Sequence, residues 1–162
     1  MYNIGDRIVH PLHGAGTIDG ITSRIIDGTE LEYYILKLPS NSMTLMVPVA
    51  TSTQIGIRNV ISRKRAEELL FLISSTEIEE TANWNKRYRE NAARIKSGEH
   101  LEVIRVMKSL IYRDRNHGLS TGERKMLHSA KQILLTELVL ALDTTYPELE
   151  KKIDGIIADS LK

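Results

Sequence analysis

Two histidines and two glycines near the start of the chain have types and spacing that could do chemistry. His10 and His13 flank Pro-Leu and could give two ligands to a metal ion, but the sequence places no third ligand beside them. Gly14 and Gly16 resemble the start of a nucleotide-binding glycine motif, but the remaining glycine and a following helix are missing. Both groups are therefore more typical of a structural loop than of a site.

The rest of the sequence gives no catalytic constellation. No pair of carboxylates marks a cleft, no glycine-rich stretch ends in Lys-Ser or Lys-Thr, and the remaining histidines lie among polar or basic residues. The chain has no cysteine, which excludes disulfides, thiolate zinc sites and a cysteine nucleophile. We therefore predict a protein that is not an enzyme and that needs no metal or other cofactor.

The one tryptophan, Trp84, is followed at once by the cations Lys86, Arg87 and Arg89. Composition alone favours an indole that packs with Tyr88 into a helical core, because the spacing of these aromatic residues is helical. The alternative is an indole that contacts nucleic acid while the neighbouring cations bind phosphates.

The charge distribution points to the same stretch. Residues 83–131 hold twelve Lys or Arg against five Asp or Glu, whereas residues 1–82 hold seven against ten and residues 132–162 hold three against six. Any single cation on an amphipathic helix is as often a solvated group as a ligand contact. One basic segment between two acidic flanks nevertheless predicts where a polyanion binds, with little sequence preference and strong salt dependence.

The first fifty residues have the punctuation of a small β domain. Short β-branched or aromatic runs between Gly and Pro predict strands at 7–10, 15–26, 30–38 and 43–48, and Asp27-Gly28 predicts a tight hairpin turn. Such short, bent strands favour a Tudor-like or SH3-like barrel. The helical part begins with Ser62 as an N-cap and contains the capping box Ser120 to Glu123.

The predicted fold class is accordingly α+β. We expect a Tudor-like barrel domain at residues 1–52, a linker at 53–61 and a five-helix domain at 62–162. No run of about 18 apolar residues could cross a bilayer and no secretory signal opens the chain, so we expect a cytoplasmic protein without a membrane partner.

The last predicted strand has the character of an edge strand. Alternation directs Leu45 and Val47 to one face and Thr44 and Met46 to the other, and Pro48 suits an edge because it cannot donate a ladder hydrogen bond. Such a strand could add to the sheet of another protein. The alternative is that Met46 fills a groove in its own barrel.

Longer motifs then cover most of the chain. They are Ile4-Gly5-Asp6, Val9 to Gly16, Val47-Pro48, Asn83 to Tyr88, Ser97-Gly98, Arg113 to Leu127 and Ala130 to Leu134. With these motifs the sequence resembles, over essentially its full length, the CarD/CdnL family of bacterial transcription regulators, which bind RNA polymerase.

The resemblance implies a Tudor-like polymerase-interacting domain, similar to the one in transcription-repair coupling factors, and a helical DNA-binding domain. By this resemblance, an exposed strand binds the polymerase β subunit, and a tryptophan matching Trp84 is a minor-groove wedge at the upstream edge of the promoter bubble. The implied localisation is the nucleoid, through RNA polymerase, and we expect a monomer. The implied DNA-binding residues are Trp84, Lys86, Arg87, Arg89, Arg124 and Lys125, and the implied polymerase-binding residues are Arg24, Thr44, Leu45, Met46, Val47 and Pro48.

Met46 departs from the pattern of the family, in which an arginine is expected. The polymerase contact is therefore expected to rely more on apolar packing and backbone pairing. A rival prediction is a sequence-specific helix-turn-helix repressor, in which the turn at residues 116–120 precedes a recognition helix. That helix begins Thr-Gly-Glu-Arg-Lys, which contains few of the side-chain combinations that read base edges.

Overall fold

The N-terminal part is a five-stranded antiparallel sheet. In this computed structural model, which describes residues 1–41 and 43–161, the strands follow the spatial order β4-β3-β2-β1-β5. The predicted α+β class is confirmed, and four of the five strands lie within one residue of the predicted bounds. The strands are β1 Arg7–His10, β2 Gly14–Ile26, β3 Thr29–Lys37, β4 Thr44–Pro48 and β5 Arg58–Asn59.

The hairpin between β2 and β3 turns at Asp27 and Gly28, as predicted. Both residues have positive φ, 52° and 78°, which is the backbone of a type I′ turn. Ile26 therefore pairs with Thr29 directly across the turn. This tight connection fixes the register, so that Tyr34 and Leu36 enter the sheet core and Tyr33 faces outward.

Within residues 43–161, five helices follow the sheet, as predicted, and side chains cap four of them. The hydroxyl of Ser62 accepts from the Arg65 N–H, and the side chain of Asn83 accepts from the Lys86 N–H. Leu69, Ile104, Met107, Leu134 and Ile153 are fully buried members of one helical core. The helices are α2 Arg63–Ser75, α3 Trp84–Lys96, α4 His100–Asn116, α5 Thr121–Leu142 and α6 Tyr146–Ser160.

The capping box at the start of α5 forms only in part. Ser120 accepts from the Glu123 N–H at 3.2 Å, as predicted. The Glu123 carboxylate, however, binds the Arg87 guanidinium instead of the backbone N–H of Ser120. A hydrogen bond from an ionised donor is stronger than one from a neutral N–H. The Glu123 carboxylate therefore accepts from Arg87 of α3 and not from the Ser120 N–H of its own capping box.

The predicted linker at 53–61 contains secondary structure. It holds most of the single helical turn α1, Ser52–Ile55, and the strand β5, whose Arg58 and Asn59 pair with Val9 and Ile8 of β1. Its composition gave no strand signal because two paired residues are too few for a period to be read. The last residue of the predicted helical domain, Lys162, lies outside the described residues.

The helical part packs directly on the sheet through α5. The Thr136 hydroxyl accepts from the Ala15 N–H at 2.8 Å, and a Cβ on Gly14 would lie 2.4 Å from the Thr136 Oγ1. Arg7 of β1 donates to the Leu140 carbonyl oxygen at 2.7 Å. Within the described residues, no helix combines the length and apolar character needed to cross a bilayer.

Candidate functional site

Trp84 is the first residue of α3 and lies at the surface, with 44 % of its area exposed. Its indole stacks on the Tyr88 ring one turn later, with ring centroids 5.1 Å apart and an interplanar angle of 18°. Its Nε1–H donates to the Ser120 hydroxyl at 3.3 Å. The indole is thus outside the core cluster, contrary to the composition-only expectation, and is restrained at one face and one edge.

The start of α3 and the start of α5 meet at this indole, since Ser120 is the N-cap of α5. Helix N-termini carry a partial positive charge and present unpaired N–H groups, which favours anions nearby. Lys86, Arg89, Arg124 and Lys125 are all exposed on the first two turns of the two helices. In the part of the chain that the structure describes, Arg89, Arg124 and Lys125 form no ion pair, while Lys86 lies 3.9 Å from Glu90.

Arg87 is the one predicted DNA contact that the structure removes from the surface. Only 8 % of the residue is exposed, and its Nε and Nη2 donate to the two carboxylate oxygens of Glu123 at 2.9 and 3.3 Å. Its Nη1 donates to the carbonyl oxygens of Thr81 and Ala82. The prediction that Arg87 binds phosphate is therefore corrected: its donors are used inside the protein.

The Glu123 carboxyl is held ionised by its neighbours. Burial by itself would raise its pKa, but the hydrogen bonds and charge of Arg87, the charge of Arg113 and the hydroxyl of Ser120 lower the pKa below the ordinary value. A second cation of the basic segment, Lys108, is also buried, and burial lowers its pKa. Its ammonium donates to the Ser74 and Thr76 carbonyl oxygens at the end of α2.

β4 is an edge strand, and its pairing with β3 determines which backbone groups face outward. Beyond its two ends, the Leu38 N–H bonds to the Met43 carbonyl and the Val49 N–H bonds to the Glu32 carbonyl. Hydrogen-bonded pairs alternate along an antiparallel ladder, so Leu45 and Val47 also bond to β3. The backbone groups of Thr44 and Met46, together with the Pro48 carbonyl, therefore point away from the sheet.

The side chains of β4 follow the predicted alternation. Val47 is buried in the sheet core and Leu45 packs against that core, while Thr44 and Met46 are exposed. The alternative in which Met46 fills a groove is not what the structure shows, because 38 % of Met46 is exposed. Arg24 pairs with Leu31 where the hairpin extends past β4, on the same sheet face as Met46.

The glycine and histidine motif at the connection between β1 and β2 has a packing role. The rings of His10 and His13 are 4.6 Å apart, and His10 Nδ1 accepts from the Leu12 N–H. Across residues 1–41 and 43–161, no three His, Cys, Asp or Glu side chains are grouped so that they could hold a metal ion. A Cβ on Gly16 would lie 2.5 Å from the Lys37 carbonyl oxygen, so this glycine permits close approach of β2 and β3.

Sequence reasoning missed the junction at Glu137. This carboxylate, 1 % exposed, binds Arg58 of β5 at 2.6 and 2.8 Å, the Ile61 N–H at 3.0 Å and His100 Nε2 of α4 at 2.8 Å. Burial alone would raise its pKa, but the hydrogen bonds and charges of Arg58 and His100 lower the pKa to about 2. A lone acid inside the apolar run 133–142 was the signal that could have revealed it.

The fold and site define a class: a two-part α+β protein with an open edge strand on one part and a surface indole among cations on the other. Comparison with known families then gives the identification. Residues 2–61 match the model described as CarD-like/TRCF RID domain, and residues 68–154 match the model described as CarD, C-terminal domain. The chain therefore belongs to the CarD family, whose members are transcription regulators.

The name of a similar protein agrees with this assignment. The chain is 29 % identical over 150 residues to the Bacillus subtilis (strain 168) protein named "Putative transcription factor YdeB". The similarity covers 93 % of this chain and 98 % of the relative. Both parts of the chain are thus shared by the two proteins.

Proposed function

We propose that this protein is a non-enzymatic transcription regulator that joins RNA polymerase to promoter DNA. β4 binds the polymerase β subunit, and Trp84 enters the minor groove at the upstream edge of the bubble. The two contacts together stabilise the open complex without strong sequence specificity. The observation that carries the proposal is the surface indole of Trp84, stacked on Tyr88 at the start of a helix that also carries exposed cations.

The chemistry of a minor-groove wedge matches the surroundings of Trp84. An apolar side chain inserted beside a base step costs a few kcal/mol of unstacking, which new contacts and a bent duplex offset. Lys86 and Arg89 on the first two turns of α3, and Arg124 and Lys125 on the first two turns of α5, are exposed and could hold the DNA backbone while the indole inserts. Because phosphates look alike in every sequence, such contacts position the protein and do not read bases.

The polymerase contact is supported by the free edge of β4. The outward N–H and carbonyl groups of Thr44 and Met46 are donors and acceptors for an added strand. Arg24 and the exposed Met46 side chain lie on the face beside that edge. Once β4 is bound, the DNA contact becomes intramolecular, so a weak isolated affinity for DNA is sufficient.

The decisive experiment measures the lifetime of promoter open complexes formed by the cognate polymerase, without and with this protein. Trp84→Ala should shorten the lifetime about 5-fold to 150-fold relative to the wild type, the equivalent of about 1–3 kcal/mol of base stacking. Phe71→Ala is the matched control, since Phe71 is an aromatic residue on α2 with 69 % of its area exposed. We expect Phe71→Ala to leave the lifetime unchanged. If Trp84→Ala also leaves the lifetime unchanged while still binding the β subunit, the proposal is wrong.

The rival, a sequence-specific repressor, has one observation in its favour. Thr121, Arg124, Lys125, His128 and Ser129 are exposed along one face of α5, as on a recognition helix. Against it, His128 and Ser129 line a cleft of about 180 Å³ between α5 and the N-terminal sheet domain. A duplex that followed α5 would have to occupy this narrow space. Mobility shifts on unrelated duplexes separate the two: near-uniform, salt-sensitive binding supports our proposal, and one strongly preferred sequence supports the rival.

A further inference from the structure

The orientation of the Trp84 indole is set by contacts from two directions. Tyr88 supports one face of the ring system, with centroids 5.1 Å apart, and Ser120 binds the Nε1–H at the ring edge at 3.3 Å. A stacking contact alone permits in-plane rotation of the ring, whereas a hydrogen bond at its edge opposes that rotation. The side chain is exposed and yet constrained.

The Ser120 hydroxyl is used to its full capacity in this arrangement. It accepts from the Trp84 Nε1–H and from the Glu123 N–H, and it donates to Glu123 Oε1 at 3.3 Å. A serine hydroxyl has one donor and two acceptor positions, and all three are occupied. The same atom therefore caps α5 and restrains the indole.

The chain of contacts closes on the residues just before Trp84. Glu123 accepts from Arg87 Nε and Nη2, and Arg87 Nη1 donates to the carbonyl oxygens of Thr81 and Ala82. Indole, hydroxyl, carboxylate, guanidinium and backbone carbonyls thus form one continuous chain of hydrogen bonds. Such connected polar groups support one another and favour a single arrangement.

Tyr88 is supported from the α5 side. A Cβ on Gly122 would lie 3.4 Å from Tyr88 Cε2, which is van der Waals contact. One side of the Tyr88 ring therefore packs against the backbone of the first turn of α5, and its face stacks on the Trp84 indole. The Ser120 hydrogen bond and the Tyr88 stacking contact thus both depend on the same turn of α5, residues 120–123.

We propose that Ser120 and Tyr88 are positioning residues that hold the Trp84 indole in its protruding orientation before DNA arrives, an inference whose functional part rests on the proposed function. A side chain ordered in advance loses less conformational entropy on binding. Arg87 and Glu123 act further back, by fixing the start of α3 against the start of α5. They contribute to DNA binding through Trp84 and without touching DNA.

Ser120→Gly tests this with little damage to the helix, because glycine at an N-cap costs far less stability than alanine. The matched control is Ser62→Gly, the same change at the N-cap of α2, where the hydroxyl accepts from the Arg65 N–H at 3.1 Å. Ser120→Thr, which keeps a hydroxyl, should behave like the wild type. Tyr88→Leu removes the stacking support independently.

The first readout needs no DNA. The chain has one tryptophan, so its indole N–H gives one identifiable resonance in an amide-correlation spectrum. We expect Ser120→Gly to shift that resonance and to speed its exchange with water, and we expect Ser62→Gly to leave both unchanged. An unchanged indole resonance in Ser120→Gly, with the helices intact, would falsify the inference.

The second readout is the open-complex lifetime. Losing one neutral hydrogen bond should reduce the population of the productive indole orientation, and with it the lifetime, about 2-fold to 10-fold. A shifted resonance with a wild-type lifetime, while Trp84→Ala still shortens it, overturns the functional part of the inference. If Trp84→Ala itself has no effect on the lifetime, the proposed function fails, and the indole resonance alone decides whether Ser120 positions Trp84.

Discussion

Arg87 and Arg89 are two residues apart in one helix, and the fold gives their identical side chains different roles. Arg87 is on the face of α3 that packs against α5, where it pairs with a buried carboxylate, and Arg89 is exposed. A guanidinium with a carboxylate and two carbonyls around it has little to gain from a phosphate. The same side chain in water can release counterions when it binds DNA.

Arg87→Gln should therefore act on stability. Removing one partner of a buried ion pair leaves the other charge uncompensated, and we expect the free energy of unfolding to fall by about 3 kcal/mol. Urea unfolding followed by Trp84 fluorescence measures it, with Arg89→Gln as the control expected to change stability by less than about 0.5 kcal/mol.

The same two variants should have the opposite order of effect on the salt dependence of DNA binding, which reports direct phosphate contacts. Arg89→Gln should reduce the slope of log affinity for DNA against log salt by about 1, as expected for one lost phosphate contact. Arg87→Gln, measured where it is still folded, should keep the wild-type slope. If Arg87→Gln instead kept normal stability and reduced the slope, Arg87 would be a direct phosphate contact and our assignment would be wrong.

At the scale of elements, the backbone N–H groups of β4 alternate between the sheet and the outside. Its inward N–H groups, at Leu45 and Val47, are taken by β3, and those at Thr44 and Met46 are directed outward. This alternation allows a backbone donor to be removed without opening the sheet.

Met46→Pro should abolish binding to the polymerase β subunit while the sheet remains folded, because proline deletes an outward N–H that a partner strand needs. Met46→Ala should reduce binding by only a few fold, since it keeps the backbone donor. Binding of both variants to the isolated β subunit, with circular dichroism as the folding check, decides the matter. Equal losses in the two variants would mean that the thioether side chain is the main contact.

The contact between β2 and α5 depends on a glycine. Gly14 has φ of 103°, and a Cβ there would lie 2.4 Å from Thr136 Oγ1 and 2.6 Å from the Gln132 carbonyl oxygen. Gly14→Ala should destabilise the protein by about 1–3 kcal/mol through overpacking. Gly155→Ala in α6, where nothing lies within 4 Å of the added methyl group, should instead stabilise it by about 0.5–1 kcal/mol. Thermal unfolding of the two variants tests this contrast, and a stable Gly14→Ala protein would contradict the close contact.

At the scale of the whole molecule, α5 connects the two candidate binding surfaces. Its first turn, with Ser120 and Glu123, supports Trp84, and its later turns, with Thr136 and Glu137, contact the sheet. Fourteen residues of helix separate Glu123 from Glu137, which is about 21 Å at 1.5 Å per residue. A single helix thereby sets the spacing between the proposed DNA wedge and the sheet proposed to bind the polymerase.

Glu137 should make the joint between sheet and helices dependent on pH. Its pKa in the folded protein is about 2, below the ordinary 4.5, so its stabilising contribution is complete above about pH 4.5 and is lost as the pH falls towards 2. That shift corresponds to about 3 kcal/mol. Glu137→Gln should lower the free energy of unfolding by about that amount near neutral pH, and the difference from wild type should narrow in acid. Urea unfolding at both conditions measures it, and a difference independent of pH would show that the carboxylate charge is not the cause.

The sequence by itself determined most of the elements, the exceptions being α1 and β5 in the predicted linker. Hydrophobic period, caps and turn residues are local signals, so the hairpin at Asp27-Gly28, the N-cap at Ser62 and the edge character of β4 were all predictable. The motifs also indicated the family before any fold was considered. Trp84 was singled out by type and spacing, but composition alone favoured the core, and the resemblance was needed to expect it at the surface.

Only the tertiary structure decided which charges are available to a partner and how the two parts are joined. Arg87, Lys108 and Glu137 have the same sequence character as solvated neighbours, but packing from distant elements buries and pairs them. Ser120 has a local role as an N-cap that sequence shows and a second role towards Trp84 that it does not. Local signals extend over a few residues, whereas burial depends on contacts between positions 36 to 79 residues apart, as in the pairs Arg87–Glu123 and Arg58–Glu137.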